Sequence, residues 1–240
     1  MKKEELEKKE IEEKERKAIE DVGQVLLTHN KEEHKIHLIS VIGEVEGHEN
    51  LGSSSKSTQY EHIIPQLAAI EDNPEVDGIL VVLNTMGGDV EAGLAIAESI
   101  AGVTKPTVSI ILGGAHSIGI PIAVSANRTF IAKSASMTIH PVRRNGMIIG
   151  VHQSFEHFKK IQDRIIDFVV EHSEVSDEHF RSLMLNTGEL VSDIGTIVSG
   201  EEAVSIGICD EVGTLSEALK CLHEMIDDRG IIKKSRTNNE

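Results

Sequence analysis

Two apolar runs constrain this chain more than any other feature. Ile79-Leu80-Val81-Val82-Leu83 and Val108-Ser109-Ile110-Ile111-Leu112 are almost continuous, of strand length and rich in β-branched residues. Runs without polar alternation suit strands covered on both faces, as in a parallel sheet. Each is followed by paired glycines, Gly87-Gly88 and Gly113-Gly114, and then by a segment with helical spacing. Parallel neighbours need crossover connections, so the pattern predicts repeated strand–helix units of about 30 residues and α/β layering.

The remaining segments extend the alternation. Ile36–Gly43 is a β-branched run ending in glycine and predicts the first core strand. Residues 44–58, with Gly47, Gly52 and three consecutive serines, predict a long surface loop able to cover a site. Tyr60–Ile70 and Val90–Ala101 carry apolar residues at helical spacing, and Ile118–Ala126 predicts a short buried helix. Thr129–Ala132 and Met137–His140 are two further short strands.

Gln153–Glu171 is the longest amphipathic segment, with Phe155, Phe158, Ile161, Ile165, Phe168 and Val169 at helical spacing. Large apolar residues outside the strand alternation fit either an oligomer contact or core packing. A polar helix near residues 177–185 and a short helix running into a last strand over residues 201–210 complete the series. Three regions follow: a charged arm over residues 1–34, a folded domain over 35–225 and a polar tail over 226–240.

Composition narrows the function classes. The formal net charge is −16, which opposes nucleic-acid binding, because that needs clustered cations that release counterions. Tryptophan is absent and there is one tyrosine, so the core is built from Ile, Val, Leu and Ala. The two cysteines, Cys209 and Cys221, have no CxxC partner. That predicts a reducing compartment and no disulfide. No run approaches the roughly 18 apolar residues of a membrane span, and the first residues alternate Lys and Glu where a signal peptide would be apolar. A cytoplasmic protein without a transmembrane segment is expected. Twelve histidines raise the question of a metal, but HExxH and paired Cys/His spacings are absent, so neither metal nor cofactor is expected.

Ser117 is the residue with chemical promise. It follows an apolar strand and a glycine turn and stands where a helix begins, an arrangement that exposes a hydroxyl near helix N–H groups. A serine at that position is also a good helix N-cap, and both roles fit the local sequence. To act as a nucleophile it needs a base and an oxyanion hole. His140, held in extended backbone by Pro141, is the candidate base. The N–H groups of Gly88 and Ile118, with Gly87 completing the turn, are the candidate oxyanion and substrate-binding groups.

These pieces occur in a known order. Asn84-Thr85-Met86-Gly87-Gly88-Asp89 with Ala92-Gly93-Leu94-Ala95-Ile96 resembles the Asn-Ser-Pro-Gly-Gly turn and following helix of the ClpP family of serine peptidases. Gly113-Gly114-Ala115-His116-Ser117-Ile118-Gly119 resembles that family's nucleophile segment, and Met137-Thr138-Ile139-His140-Pro141 its histidine segment. Glu202-Ala203 with Gly207–Val212 resembles its closing run. The similarity spans residues 35–213.

The resemblance implies a crotonase/ClpP-like spiral of ββα units with a protruding handle helix at Gln153–Glu171, and a homo-oligomeric ring. It implies Ser117 as nucleophile, His140 as base, and Gly88 and Ile118 as oxyanion donors for peptide substrates. It also implies partners among unfoldases or the export machinery, since the branch most similar to this chain assists protein export, with cleaved signal peptides as candidate substrates. Three positions depart from the family pattern. Met86 replaces a proline, His116 replaces an alanine before the nucleophile, and Gly195 falls where the triad acid belongs. Asp193, two residues earlier, is the acid then expected beside His140. Two other functions fit the same frame: a catalytically silent scaffold, and an acyl-CoA enzyme that uses paired N–H groups to hold an oxyanion.

Overall fold

The computed structural model describes residue 13 and residues 25–28, 34–48, 52, 55–143, 150–188 and 194–237. Its centre is a run of parallel strands. β2 (Lys35–Glu46) pairs with β4 (Gly78–Gly88), β4 with β5 (Thr107–Ala115), β5 with β6 (Arg128–Ile131), and β6 with β9 (Glu211–Val212), all parallel. β1 (Val25–Thr28) closes one edge antiparallel to β2. β3 (Ser57–Gln59) adds in parallel to the end of β2. β7 (Ser136–Ile139) joins β5 through Gly114 and Ser136 and pairs antiparallel with β8 (Thr196–Ser199).

Side-chain alternation on these strands separates two apolar clusters. Ile39, Val41, Ile79, Val81 and Leu83 pack with α1 (Tyr60–Asp72), α2 (Val90–Ala101) and α3 (Gly119–Val124) in the larger one. Ile36, Leu80, Val108, Ile110 and Phe130 face the other way, onto Ala218 and Leu222 of α7 (Leu215–Thr237). The nearly continuous apolar runs of β4 and β5 are explained by this: both faces of each strand are covered.

α4 (Val151–Glu171) divides along its length. Ile165, Ile166, Phe168 and Val169 are buried in the larger cluster. The first half presents Val151 and Phe155 to solvent, at 80% and 63% exposure. It has the form of the expected handle. α5 (Asp177–Met184) returns along it, with Arg181 bridging Asp163 at 2.7 Å and Asp177 at 2.8 Å. α5 inserts Phe180 and Met184 into the core, and the short α6 (Gly200–Ser205) leads from β8 toward β9.

Several segments differ from the sequence reading. The expected loop over residues 44–58 is ordered at both ends, because Glu44–Glu46 continues β2 and Ser57–Gln59 forms β3, with Glu44 N–H donating to Lys56 O at 3.0 Å. Most of its middle lies outside the described residues, as does nearly all of the charged arm, of which Val25–Thr28 forms β1. β8 is too short and too mixed in sequence to stand out, and is defined by its pairing with β7. The polar tail expected from residue 226 is helical as far as Thr237. The signal for that helix lies at its start. Thr214 and Glu217 form a reciprocal cap, with Thr214 N–H donating to Glu217 Oε2 at 2.8 Å and Glu217 N–H to Thr214 Oγ1 at 3.4 Å.

Leu222 is fully buried between α7 and the sheet. Leu222→Ala is expected to lower unfolding free energy by about 2–5 kcal/mol, the range for a buried leucine that leaves a cavity. Urea unfolding followed by circular dichroism measures it.

Candidate active site

The site is built where β5 turns into α3. Ser117 has φ +55°, and it is the one non-glycine residue with positive φ among the described residues. That conformation costs a side-chain-bearing residue roughly 1–2 kcal/mol, so the surroundings must hold it. They do so through the backbone on both sides. His116 N–H donates to Thr85 O at 3.1 Å and Ser117 N–H to Thr138 O at 2.9 Å. Gly119 N–H and Ile120 N–H return to His116 O and Ser117 O at 2.9 and 3.0 Å. Ile118, not Ser117, is the N-cap residue of α3, and it contributes no side-chain cap. The N-cap role open to Ser117 from sequence is therefore excluded.

The glycine turn at the end of β4 lies against this strained residue. Gly87 has φ +90°, and a Cβ added there would come within 2.7 Å of both Ser117 Cβ and His116 O, and 3.4 Å from Ile118 N. No larger residue fits without moving the Ser117 turn. Thr85, 1% exposed, fastens the turn from beneath. Its hydroxyl donates to Gly43 O at 2.6 Å and accepts from Gly87 N–H at 3.1 Å. Asn84 supports the other side by accepting from Gly114 N–H at 3.1 Å.

His140 follows β7 directly. Its Nδ1 lies 2.7 Å from Pro141 O. A carbonyl only accepts, so Nδ1 carries a proton, and in the neutral ring Nε2 is then the nitrogen able to accept one. Ser117, Ile118, Gly88, Met86 and His140 line one cleft of about 340 Å³. Its floor includes Ile165 from α4 with Phe180 and Met184 from α5, and Glu44 and Arg143 are its charged side chains.

Four of the residues expected from sequence thus share one cleft: Ser117, Ile118, Gly88 and His140. Gly87 supports Ser117 from beside it. Asp193 lies outside the described residues. Gly195, with φ +137°, packs on the histidine itself, since a Cβ there would sit 2.9 Å from His140 Cβ. A side chain at 195 would collide with His140. Sequence reasoning overlooks Thr85, Thr138 and the Pro141 carbonyl. Main-chain acceptors leave no sequence signal, but a threonine between a strand end and a glycine turn is a readable one.

The chain belongs to the Clp protease family, whose model matches residues 25–216. The fold is the ClpP-like, crotonase-type α/β fold. Translocation-enhancing protein TepA of Halalkalibacterium halodurans is 53% identical over 209 residues, 87% of this chain and 81% of that protein. The ATP-dependent Clp protease proteolytic subunit 1 of Protochlamydia amoebophila is 27% identical over 156 residues, covering 62% of this chain and 72% of that one. Among solved structures, a ClpP1 mutant from Listeria monocytogenes superposes with a TM-score of 0.61 at 21% identity, over 76% of this chain and 94% of that chain. No helix among the described residues is long and apolar enough to cross a membrane.

The hydroxyl of buried Thr85 makes two hydrogen bonds that valine cannot replace. Thr85→Val is expected to cost about 1–3 kcal/mol, the penalty for leaving buried partners unsatisfied. Thr85→Ser is expected to recover most of the loss, and urea unfolding of the pair checks both.

Proposed function

We propose that this protein is a serine peptidase that cleaves peptides through an acyl-enzyme. The observation that carries this is the strained Ser117, held against Gly87 in the cleft that His140 also lines. Ser117 Oγ attacks the peptide carbonyl carbon while His140 Nε2 takes the hydroxyl proton. The carbonyl oxygen becomes an oxyanion and accepts from Gly88 and Ile118 N–H. The C–N bond breaks, the amine leaves with the proton from His140, and water repeats the sequence on the ester to release the acid and free serine.

The histidine is oriented in this proposal by the Pro141 carbonyl, which fixes the tautomer that a buried carboxylate fixes in a triad. Asp193 is the other candidate for that task. The two differ in a measurable way. If the carbonyl orients His140, Asp193→Asn is expected to lower kcat/KM by less than about tenfold, whereas loss of a true triad acid costs about 10⁴-fold.

The apolar cleft floor of Ile165, Phe180 and Met184 suits short peptides with apolar side chains. The similarity to a translocation-enhancing protein supports a cytoplasmic role linked to protein export, including turnover of cleaved signal peptides. The exposed first half of α4 supports assembly of copies into a homo-oligomeric ring, and the family supports an unfoldase or the export machinery as partner. A second function, a silent scaffold for translocation, is favoured by Gly195, which packs on His140 where the family pattern has its acid. A scaffold has no need of a strained serine and a histidine that line one cleft with Gly88 and Ile118, which is why peptidase is preferred.

A fluorophosphonate probe separates the two. Labelling of the wild-type protein that is lost in Ser117→Ala and in His140→Ala is the expected result. Equal labelling of Ser117→Ala overturns the nucleophile assignment, and a wild-type protein that stays unlabelled supports the scaffold.

A further inference from the structure

The residue before Ser117 is a second imidazole, and the cleft chemistry above leaves it without a task. His116 Nδ1 lies 2.8 Å from Thr138 Oγ1. Thr138 is also the residue whose carbonyl receives Ser117 N–H at 2.9 Å. Adjacent residues of the Ser117 turn therefore bond to one residue of β7, its side chain and its main chain each taking one contact. Thr138 stands two positions before His140 on the same strand face, opposite the fully buried Met137 and Ile139. The ring of His116 lies over Gly114, where any Cβ would overlap Nε2.

We propose that His116 is a positioning residue that fastens the Ser117 turn to the His140 strand through Thr138 and, when charged, opposes the imidazolium that His140 must form. The inference rests on the peptidase reading given above. Its electrostatic half follows from the surroundings. β7 brings Thr138 and His140 to His116, β5 brings Gly114, β4 brings Asn84 and the Thr85 carbonyl, and β8 places Ile197 opposite Thr138. Of these only His140 ionises, and Glu44 and Arg143 are the charged side chains of the adjoining cleft. Burial first, and the neighbouring His140 second, hold His116 below the ordinary histidine range. His116 is thus neutral at neutral pH, and it gains its proton only as the medium becomes acidic. A proton on either ring raises the cost of a proton on the other. Acid therefore disables the base twice, by protonating His140 directly and by charging its neighbour.

The test is the rate of Ser117 labelling by a fluorophosphonate over about pH 5 to 8, the window in which histidines titrate. The wild-type rate is expected to fall on the acid side with a slope steeper than one. His116→Asn, which keeps a hydrogen-bonding group near Thr138 but no charge, is expected to label a few-fold more slowly at neutral pH and to fall with a slope of one. Thr138→Val is expected to label at least about tenfold more slowly at every pH, from the mispositioning that follows loss of an anchor, with the steep acid limb retained. A His116→Asn profile that superposes on wild type, or a Thr138→Val rate equal to wild type, overturns the inference while the peptidase reading stands. Absence of wild-type labelling overturns both. In unlabelled protein, a His116 NMR titration that moves upward in His140→Gln supports the coupling, and one that does not move refutes it.

Discussion

Ser117 takes positive φ although it carries a side chain, and four elements cooperate to impose it. β5 delivers the chain, α3 begins immediately after it, Thr85 of β4 accepts from His116, and Thr138 of β7 accepts from Ser117. The strain is local and small against the burial that sustains it. Ile111, Ile118 and Ile120 flank the turn in sequence, pack in the larger apolar cluster and are almost wholly buried, and each contributes about 1.5–3 kcal/mol.

The sheet serves the site through its two faces. α1, α2 and α3 cover one face and α7 the other, so β4 and β5 are fixed from both sides before they reach their glycines. β4 then ends in the turn that touches Ser117, while β7 attaches to β5 at Gly114 and carries Thr138 and His140 past it. α4 and α5 supply the cleft floor. Their placement rests mainly on buried Ile166, Val169 and Phe180. The ion pair of Arg164 with Glu91 is half-exposed and adds little beyond alignment, while that of Arg181 with Asp163 is more buried and ties α5 to α4.

Much of this is legible in sequence because the relevant signals are strong ones. Nearly continuous apolar runs mark β4 and β5, paired glycines mark the turns, and α2 spans the predicted Val90–Ala101. Ser117, His140, Gly88 and Ile118 share a cleft as expected, although their distances to one another follow from tertiary contacts that no local pattern encodes. The misses have physical causes. β8 is stabilised by pairing with β7 and has little pattern of its own, and Glu44 and Val45 become strand because Gly87 and Gly88 pair with them. The hydrogen-bond acceptor for His140 Nδ1 is a main-chain carbonyl, invisible in sequence, while the glycine at 195 is visible and marks where a side chain would strike His140.

The proposed acyl-transfer site requires Ser117 and the N–H groups of Gly88 and Ile118 to act on one carbonyl. A crystal structure of the protein after reaction with a fluorophosphonate is its sharpest test. Phosphorus bonded to Ser117 Oγ, with the phosphonyl oxygen within hydrogen-bond distance of the Gly88 and Ile118 N–H groups, is the expected result. An adduct on another residue, or on Ser117 with that oxygen turned away from both donors, would contradict it.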